Sequence, residues 1–490
     1  MFTALTIVVA LGILGWGFNR ARPYGKLGIL AWLQSVVLMA PWILFFGLFA
    51  AGIYLNLAGM LLLFVVSTGI YIWIGRQLRA EGQDFLAKRA AAKVAIESAL
   101  SDSSEAETSP PPPVIPQPDS VSIPDADLQT IKSIFGVDTF FLTETIPYQD
   151  GAVFRGNLRG EPEPTLAKLT ESLTAQLGDR YRLFLIENQD GKPVVVVLPS
   201  KNDPKPLNLT QKLLSIVLFL ATIAASLETG GILQGFDFYS APERYREVLP
   251  FSLGILSVLL AHELGHWIVA KRYQIRLNLP FFIPTWQIGS FGAITKFASL
   301  LPNRTALFDI SIAGPIAGGL VALGMLVTGL FLSHEGVGYK VPTQFFEGSI
   351  LVGTLARVIM GTAIQQPIVE VSPLVVLGWI GLVVTAINVM PAGQLDGGRV
   401  VQAIYGRKTA GLATVATIVI LGLASLVNPL ALYWAIVIVV LQRNPERPSL
   451  NEISEPDDAR AAIALVVLFL MVMILLPLTP SLAGRLGIGG

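Results

Sequence analysis

Two histidines and a glutamate stand in LLAHELGHWIVAKR, residues 259–272, inside an apolar run long enough to cross a bilayer. His262 and His266 are four residues apart. On an α-helix that spacing turns them only about 40° from one another, so both imidazoles project from one face. Glu263 follows the first histidine directly. Neutral imidazole suits zinc, and a helical H-E-x-x-H supplies two ligands and a general base, a metalloprotease arrangement. Ionisable groups at membrane depth cost several kcal/mol unless they have a partner or a task. The chain holds three histidines in all, and two of them fall in this spacing around a glutamate. Accidental packing of two core histidines explains that poorly.

A catalytic zinc takes three protein ligands and leaves one position open. Cysteine is absent from the chain, so thiolate ligands and disulfides are excluded together. The third histidine, His334, sits in the polar turn LSHEGVGYK and reads as an exposed loop residue on the far side of the membrane. A carboxylate at matching depth is expected instead. Asp396 in AINVMPAGQLDGGRVV, residues 386–401, meets that need, because a span there ends at the helix-breaking Pro391. An ordinary Asp-Gly turn is the plain alternative for this aspartate. Its apolar surroundings and the missing ligand weigh against that alternative. Asn388, in the same segment, reads either as a helix–helix hydrogen-bond residue or as a group that holds a substrate carbonyl.

The elements that must carry these residues are apolar. Of 490 residues 53% are hydrophobic and only 14% charged, against about a quarter charged in a soluble domain. Mean hydropathy is +0.63. Apolar runs lie near 1–17, 28–50, 52–74, 212–228, 248–270, 306–332, 372–390, 409–427, 429–441 and 460–479. Several approach the roughly 20 residues that span a bilayer. The run at 429–441 reads as half of a broken hairpin, and the amphipathic run at 349–363, with Arg357 in it, is left unassigned. The fold class expected is a polytopic α-helical membrane protein of about eight to ten transmembrane helices, since helices satisfy their own backbone in lipid. The first run lacks a basic start and is followed by Arg20 and Arg22, which reads as a retained span rather than a signal peptide. Formal net charge is zero, so nothing points to nucleic acid.

Lys and Arg near span ends place the block 76–208 on the cytoplasmic side. In that frame the span 248–270 ends inward at Lys271-Arg272, and His266 lies roughly 7–8 Å below that end, at 1.5 Å per residue. Residues 1–75 are read as N-terminal spans. Residues 76–124 are a charged helix extension and a Pro/Ser-rich linker too poor in large apolar side chains to bury a core. Residues 125–208 form a small α+β domain: a short helix, a hairpin around Asp150-Gly151, a helix stopped by Gly178, and a second hairpin around Asp190-Gly191. Residues 209–442 are the intramembrane core, and 443–490 a cytoplasmic segment and a last span.

The pair HELGH at 262–266 and NVMPAGQLDG at 388–397 resembles the site-2 protease family of intramembrane zinc metalloproteases (M50 type). More narrowly, Gly156-Asn157-Leu158-Arg159 matches a motif of its plastid and cyanobacterial branch, the ethylene-dependent gravitropism-deficient and yellow-green proteins. The likeness covers about residues 125–445. It implies Zn2+ bound by His262, His266 and Asp396, Glu263 as base, and Asn388 positioning the peptide. It implies a transmembrane protein as substrate, and a multi-pass protein in a plasma or thylakoid-type membrane. NLPFFIPTWQIGSFGAITKF, residues 278–297, resembles the family's re-entrant β-hairpin. Many relatives carry a PDZ domain; none is read here, and the 125–208 domain takes that regulatory place. Gly314 and Gly318 read as close helix packing rather than chemistry. For the Gly156–Arg159 stretch a strand ending in a tight turn is as good a reading as a functional role. The main rival is a divalent-metal transporter or metal-stabilised scaffold with the same ligands, which would have no use for Glu263. A zinc protease class with a downstream glutamate ligand is disfavoured, because Glu347 and Glu370 fall on the opposite membrane face.

Overall fold

The computed structural model describes residue 15, residues 17–50, scattered positions between 67 and 78, and 123–488 apart from 149, 189–190, 286, 335, 337, 427 and 443. Nearly all of the first expected span, most of the third, and nearly all of the charged extension and the Pro/Ser-rich linker lie outside the described residues. The chain forms two compact units, residues 1–117 with 422–432, and residues 118–421 with 433–490. In the first, α1 (Gly25–Ala50) runs 26 residues with Pro41 inside it.

The second unit opens with the α+β domain. Its elements are α2 (Asp125–Ser133), β1 (Phe140–Tyr148), β2 (Gly151–Leu158), α3 (Pro162–Leu177), β3 (Tyr181–Glu187) and β4 (Pro193–Pro199). Gly178 ends α3 at φ +60°, which a side chain would resist. The two hairpins join into one antiparallel sheet of order β1-β2-β4-β3. Side chains alternate across it. Phe154, Leu183, Leu185, Val195 and Val197 pack under the helices. Phe184, Val194 and Val196 face the other way. Of the second hairpin's expected turn, Asp190 lies outside the described residues, while Gly191 has φ +73°. The Gly156–Arg159 stretch is the end of β2. A Cβ on Gly156 would lie 2.2 Å from the carbonyl of Phe141, so strand pairing explains that glycine.

Asn208 caps α4 (Leu209–Leu233) through a reciprocal pair of bonds with Gln211. Then come α5 (Tyr245–Arg272), the hairpin β5 (Phe281–Thr285) and β6 (Gly289–Ile294), and α6 (Arg304–Phe331). A second small hairpin, β7 (Tyr339–Pro342) with β8 (Ile368–Val371), brackets α7 (Ile350–Met360), the helix that fills the unassigned amphipathic run. After it follow α8 (Pro373–Asn388), α9 (Asp396–Ala424, kinked at Gly406), α10 (Pro429–Val437), α11 (Asp458–Leu475) and α12 (Pro480–Leu486).

Among the described residues five helices are long and apolar enough to cross a membrane: α4, α5 with its preceding turn, α6, α9 and α11. The pattern is that of a polytopic membrane protein. On α11 Leu465, Val466 and Phe469 are exposed, a surface that lipid rather than water would cover. The span expected at 372–390 is a 16-residue helix, α8, short of a full crossing.

Helix α6 is packed between α5 and α8, and glycine makes the approach possible. A Cβ on Gly265 would lie 2.4 Å from the carbonyl of Ala313, and one on Gly378 2.3 Å from the amide of Leu326. Backbones this close gain van der Waals contact where no hydrophobic drive exists between helices. Because α4 and α5 form a helical hairpin, the start of α4 and the end of α5 lie at one end of the pair. The amide of Leu207 donates to Asn278 Oδ1 at 3.1 Å there.

Candidate metal centre

Helix α5 carries His262 and His266 one turn apart on the side that faces α6. Both are buried. His266 Nδ1 lies 2.7 Å from the carbonyl of Ile310 on α6. A carbonyl only accepts, so Nδ1 carries the hydrogen and Nε2 keeps its lone pair for the cluster.

The third component arrives from far along the chain. Helix α8 ends at Asn388, ahead of Pro391, and the turn 389–395 reverses the backbone before α9 starts at Asp396. Asp396 therefore opens a helix, instead of sitting in the loose turn that Asp-Gly suggests. The glycines after it explain why. A Cβ on Gly397 would lie 1.7 Å from the carbonyl of Val389, and one on Gly398 2.3 Å from that of Gly393. Only bare backbone lets α9 seat on this turn.

Asp396 Oδ2 lies 3.0 Å from His262 Nε2 and 3.3 Å from His266 Nε2, and the two Nε2 atoms are 3.1 Å apart. Three donor atoms thus form a nearly equilateral triangle. Ligands at about 2.0–2.1 Å in a tetrahedral zinc site are separated by roughly 3.3 Å. The donor set is two imidazoles and one carboxylate, each buried, and it fits zinc in both spacing and chemistry.

Glu263 is a second carboxylate close by. Its oxygen and the two imidazole nitrogens lie within 4.8 Å of one another. Geometry separates the two acids. Asp396 Oδ2 touches both imidazoles, whereas Glu263 Oε2 accepts a 2.6 Å hydrogen bond from the Thr295 hydroxyl. Its other oxygen is left for a reacting group.

Asn388 is buried at the end of α8, and its Nδ2 donates to the carbonyls of Val384 at 2.8 Å and of Phe291, on β6, at 3.3 Å. Gly292 has φ +105°, and a Cβ there would lie 2.3 Å from that nitrogen. His334 is exposed beside the β7–β8 hairpin, and Glu370 pairs with Lys340 at 3.5 Å within it. Both precede α8, whose far end leads to Asp396, so a helix length parts them from the centre.

One contributor was not read from the sequence. Arg399 is buried one turn after Asp396. It bonds Glu446 at 2.8 Å, donates to the carbonyl of Thr295 at 2.8 Å, and sits 3.9 Å from Asp396 Oδ1. It ties the two carboxylate-bearing parts of the site together. A charge in an apolar segment was the signal that could have found it. Gly314 was read as a close-packing residue, but its partner was not. A Cβ there would lie 2.3 Å from His266 Nε2, so the small face of α6 packs onto the imidazole itself.

The family model for peptidase family M50 matches residues 250–428. That for the EGY3 middle domain matches residues 129–205. The probable zinc metalloprotease EGY1, chloroplastic, of Arabidopsis thaliana is 38% identical over 402 residues, covering 74% of this chain and 73% of that protein. EGY2 of the same plant is 38% identical over 380 residues, covering 75% and 67%. EGY3 of Oryza sativa subsp. indica is 31% identical over 376 residues, covering 72% and 64%. No solved structure matches.

Proposed function

The chain belongs to peptidase family M50, in the branch of the EGY zinc metalloproteases, and from that premise we propose that it hydrolyses peptide bonds inside transmembrane segments of other proteins, with His262, His266 and Asp396 holding zinc. The observation that carries this reading is the triangle of two imidazole nitrogens and one carboxylate oxygen beside a second, separately held carboxylate.

Zinc held there supplies Lewis-acid activation of water and of a peptide carbonyl. The rest is done by the chain. Glu263 takes a proton from the attacking water and returns it to the leaving amine. Thr295 points that carboxylate at the centre by binding one of its oxygens. The Ile310 carbonyl fixes the His266 tautomer, and packing against α6 fixes the ring. Asn388 positions substrate indirectly, through the β6 carbonyl it binds. A helical substrate has its amides locked in hydrogen bonds and must unwind before attack. The β5–β6 hairpin, re-entrant in this reading, offers an edge on which the unwound stretch can pair. The soluble domain and the centre face the cytoplasmic side of a plasma or thylakoid-type membrane, and water enters from that face.

The test is cleavage of a single-span model protein by the detergent-solubilised chain. Chelation is expected to abolish cleavage and added Zn2+ to restore it. Cleavage that survives with less than about a tenth of a zinc per chain sinks the reading. Thr295→Val is expected to lower kcat about 10–100-fold with KM and zinc content little changed. A hydrogen bond to a charged group is worth about 1.5–3 kcal/mol, which is that range in rate. Thr295→Ser, which keeps the hydroxyl, should recover most of the loss. A loss in Thr295→Ser with none in Thr295→Val would mean that the methyl packing, not the bond, matters.

A further inference from the structure

The sheet of the α+β domain has a second face that α2 and α3 leave uncovered. Leu300 and Leu450 close its middle over Phe184, Val194 and Val196. The same face lines a cleft of about 1510 Å³, with Val153, Ile186 and Leu198 among its apolar residues. Its lining also includes Lys205, just before α4, Arg407 in α9, and Arg447 after α10. That volume exceeds the about 300–1,000 Å³ of a small-molecule pocket.

The charges in the cleft do not balance. Arg155 is paired with Glu144, Arg182 with Asp179 and Asp203, and Lys201 with Asp150. Arg407 and Arg447 donate to the carbonyls of Glu446 and Asn202, which leaves their charge uncancelled. Lys205 has no ion pair among the described residues. Glu187 is the one lining acid in the same position. The surplus is positive, and it shares the cleft with apolar sheet residues.

We propose that this cleft docks an extended acidic-apolar peptide, the soluble tail of the membrane protein being cleaved; this rests on the protease reading above. In an extended chain alternate side chains point opposite ways. Apolar ones then meet the sheet while carboxylates meet Lys205, Arg407 and Arg447. The position suits a tail. Lys205 precedes α4 by four residues and α5 ends at Arg272 on the same membrane face, so a substrate leaving the bilayer beside the centre passes the cleft. One segment borders both places. Glu446 holds Arg399 with its carboxylate and Arg407 with its carbonyl, and Arg447 follows it.

The experiment uses the full chain in nanodiscs of zwitterionic lipid. The substrates are single-span proteins whose tails alternate Glu with Val, alternate Lys with Val, or consist of Gly and Ser. The Glu-Val tail is expected to lower KM about tenfold against the Lys-Val tail, as three rim ion pairs would, with the advantage shrinking as salt is raised. Lys205→Glu with Arg447→Glu, both exposed side chains, should invert the preference while zinc content stays the same. Equal KM values in the unaltered chain, or an unchanged preference in the variant, overturn the proposal. A preference that appears only with anionic lipid in the disc, and tracks that lipid instead of the tail, assigns the cations to lipid headgroups and likewise overturns it. Cleavage of the Gly-Ser substrate by the unaltered chain, absent in Glu263→Gln, reports the protease reading separately. If no substrate is cut, anisotropy of a labelled free Glu-Val peptide still decides whether the cleft binds it.

Discussion

The Glu263→Gln chain is expected to keep its zinc and to lose cleavage by about 10³-fold, within the 10²–10⁴ that proton transfer by a positioned group contributes. Glutamine preserves the volume and can still accept from Thr295, whose hydroxyl lies 2.6 Å from the native carboxylate. It cannot take a proton from water at neutral pH. The three atoms of the metal triangle are untouched by the change. Asp396→Ala is the counterpart. It removes one corner of that triangle and leaves the Arg399 guanidinium, 3.9 Å from the lost carboxylate, facing two imidazoles with nothing between. Zinc content should fall to a small fraction of one per chain, and cleavage with it. The two variants separate catalyst from ligand, and metal analysis beside a cleavage assay reads both. Glu263→Gln cleaving at the unaltered rate would remove Glu263 as the base, and an unaltered chain that holds zinc but cleaves nothing would return the site to a transporter or scaffold. Asp396→Ala holding full zinc would remove Asp396 from the ligand set.

What could be read without coordinates follows from which interactions have a sequence identity. His262 and His266 were legible because a four-residue spacing on a helix decides a shared face. Asp396 was legible by elimination: no cysteine, one other histidine, and two glutamates expected on the opposite membrane face. Its place at the start of α9 was not, because Gly397 and Gly398 look like turn residues until the carbonyls they seat against are known. The Ile310 carbonyl that orients His266 has no signature, since every residue owns a carbonyl. Thr295 reads as an ordinary strand residue. Both hairpins of the soluble domain were marked by their turns. Their union as β1-β2-β4-β3 depends on long-range pairing of Val194–Val197 with Ala152–Arg155, which no local pattern specifies. Span ends were blurred for another reason. A helix apolar on all sides has no periodicity to mark where it stops, and α8 proved shorter than its apolar run.

Gly314→Ala is expected to empty the site without touching a ligand. The new Cβ would stand 2.3 Å from His266 Nε2 and 2.6 Å from two further ring atoms. Ordinary contact begins at about 3.4 Å, so the ring must withdraw by roughly an ångström. It has little room to do so. Its Nδ1 is tied to the carbonyl of Ile310, one turn before Gly314 on the same face of α6, and the bond that fixes the tautomer also presses the imidazole onto the glycine. Zinc sites tolerate ligand shifts of about 0.2 Å. Loss of zinc and of cleavage by about 10³-fold should follow, with an overpacking cost to stability of about 1–3 kcal/mol. Two neighbours calibrate the result. A Cβ on Gly318 meets His262 Cβ at 3.1 Å and Nδ1 at 3.4 Å, so Gly318→Ala asks for only a few tenths of an ångström and should keep most zinc. Gly324 has nothing within 4 Å, and Gly324→Ala should be neutral or slightly stabilising. A graded loss in the order 314, 318, 324 identifies the imidazole contact as the cause. Full zinc and full cleavage in Gly314→Ala would show that His266 does not need α6 to hold its place, and the geometry assigned to the centre would fail with it.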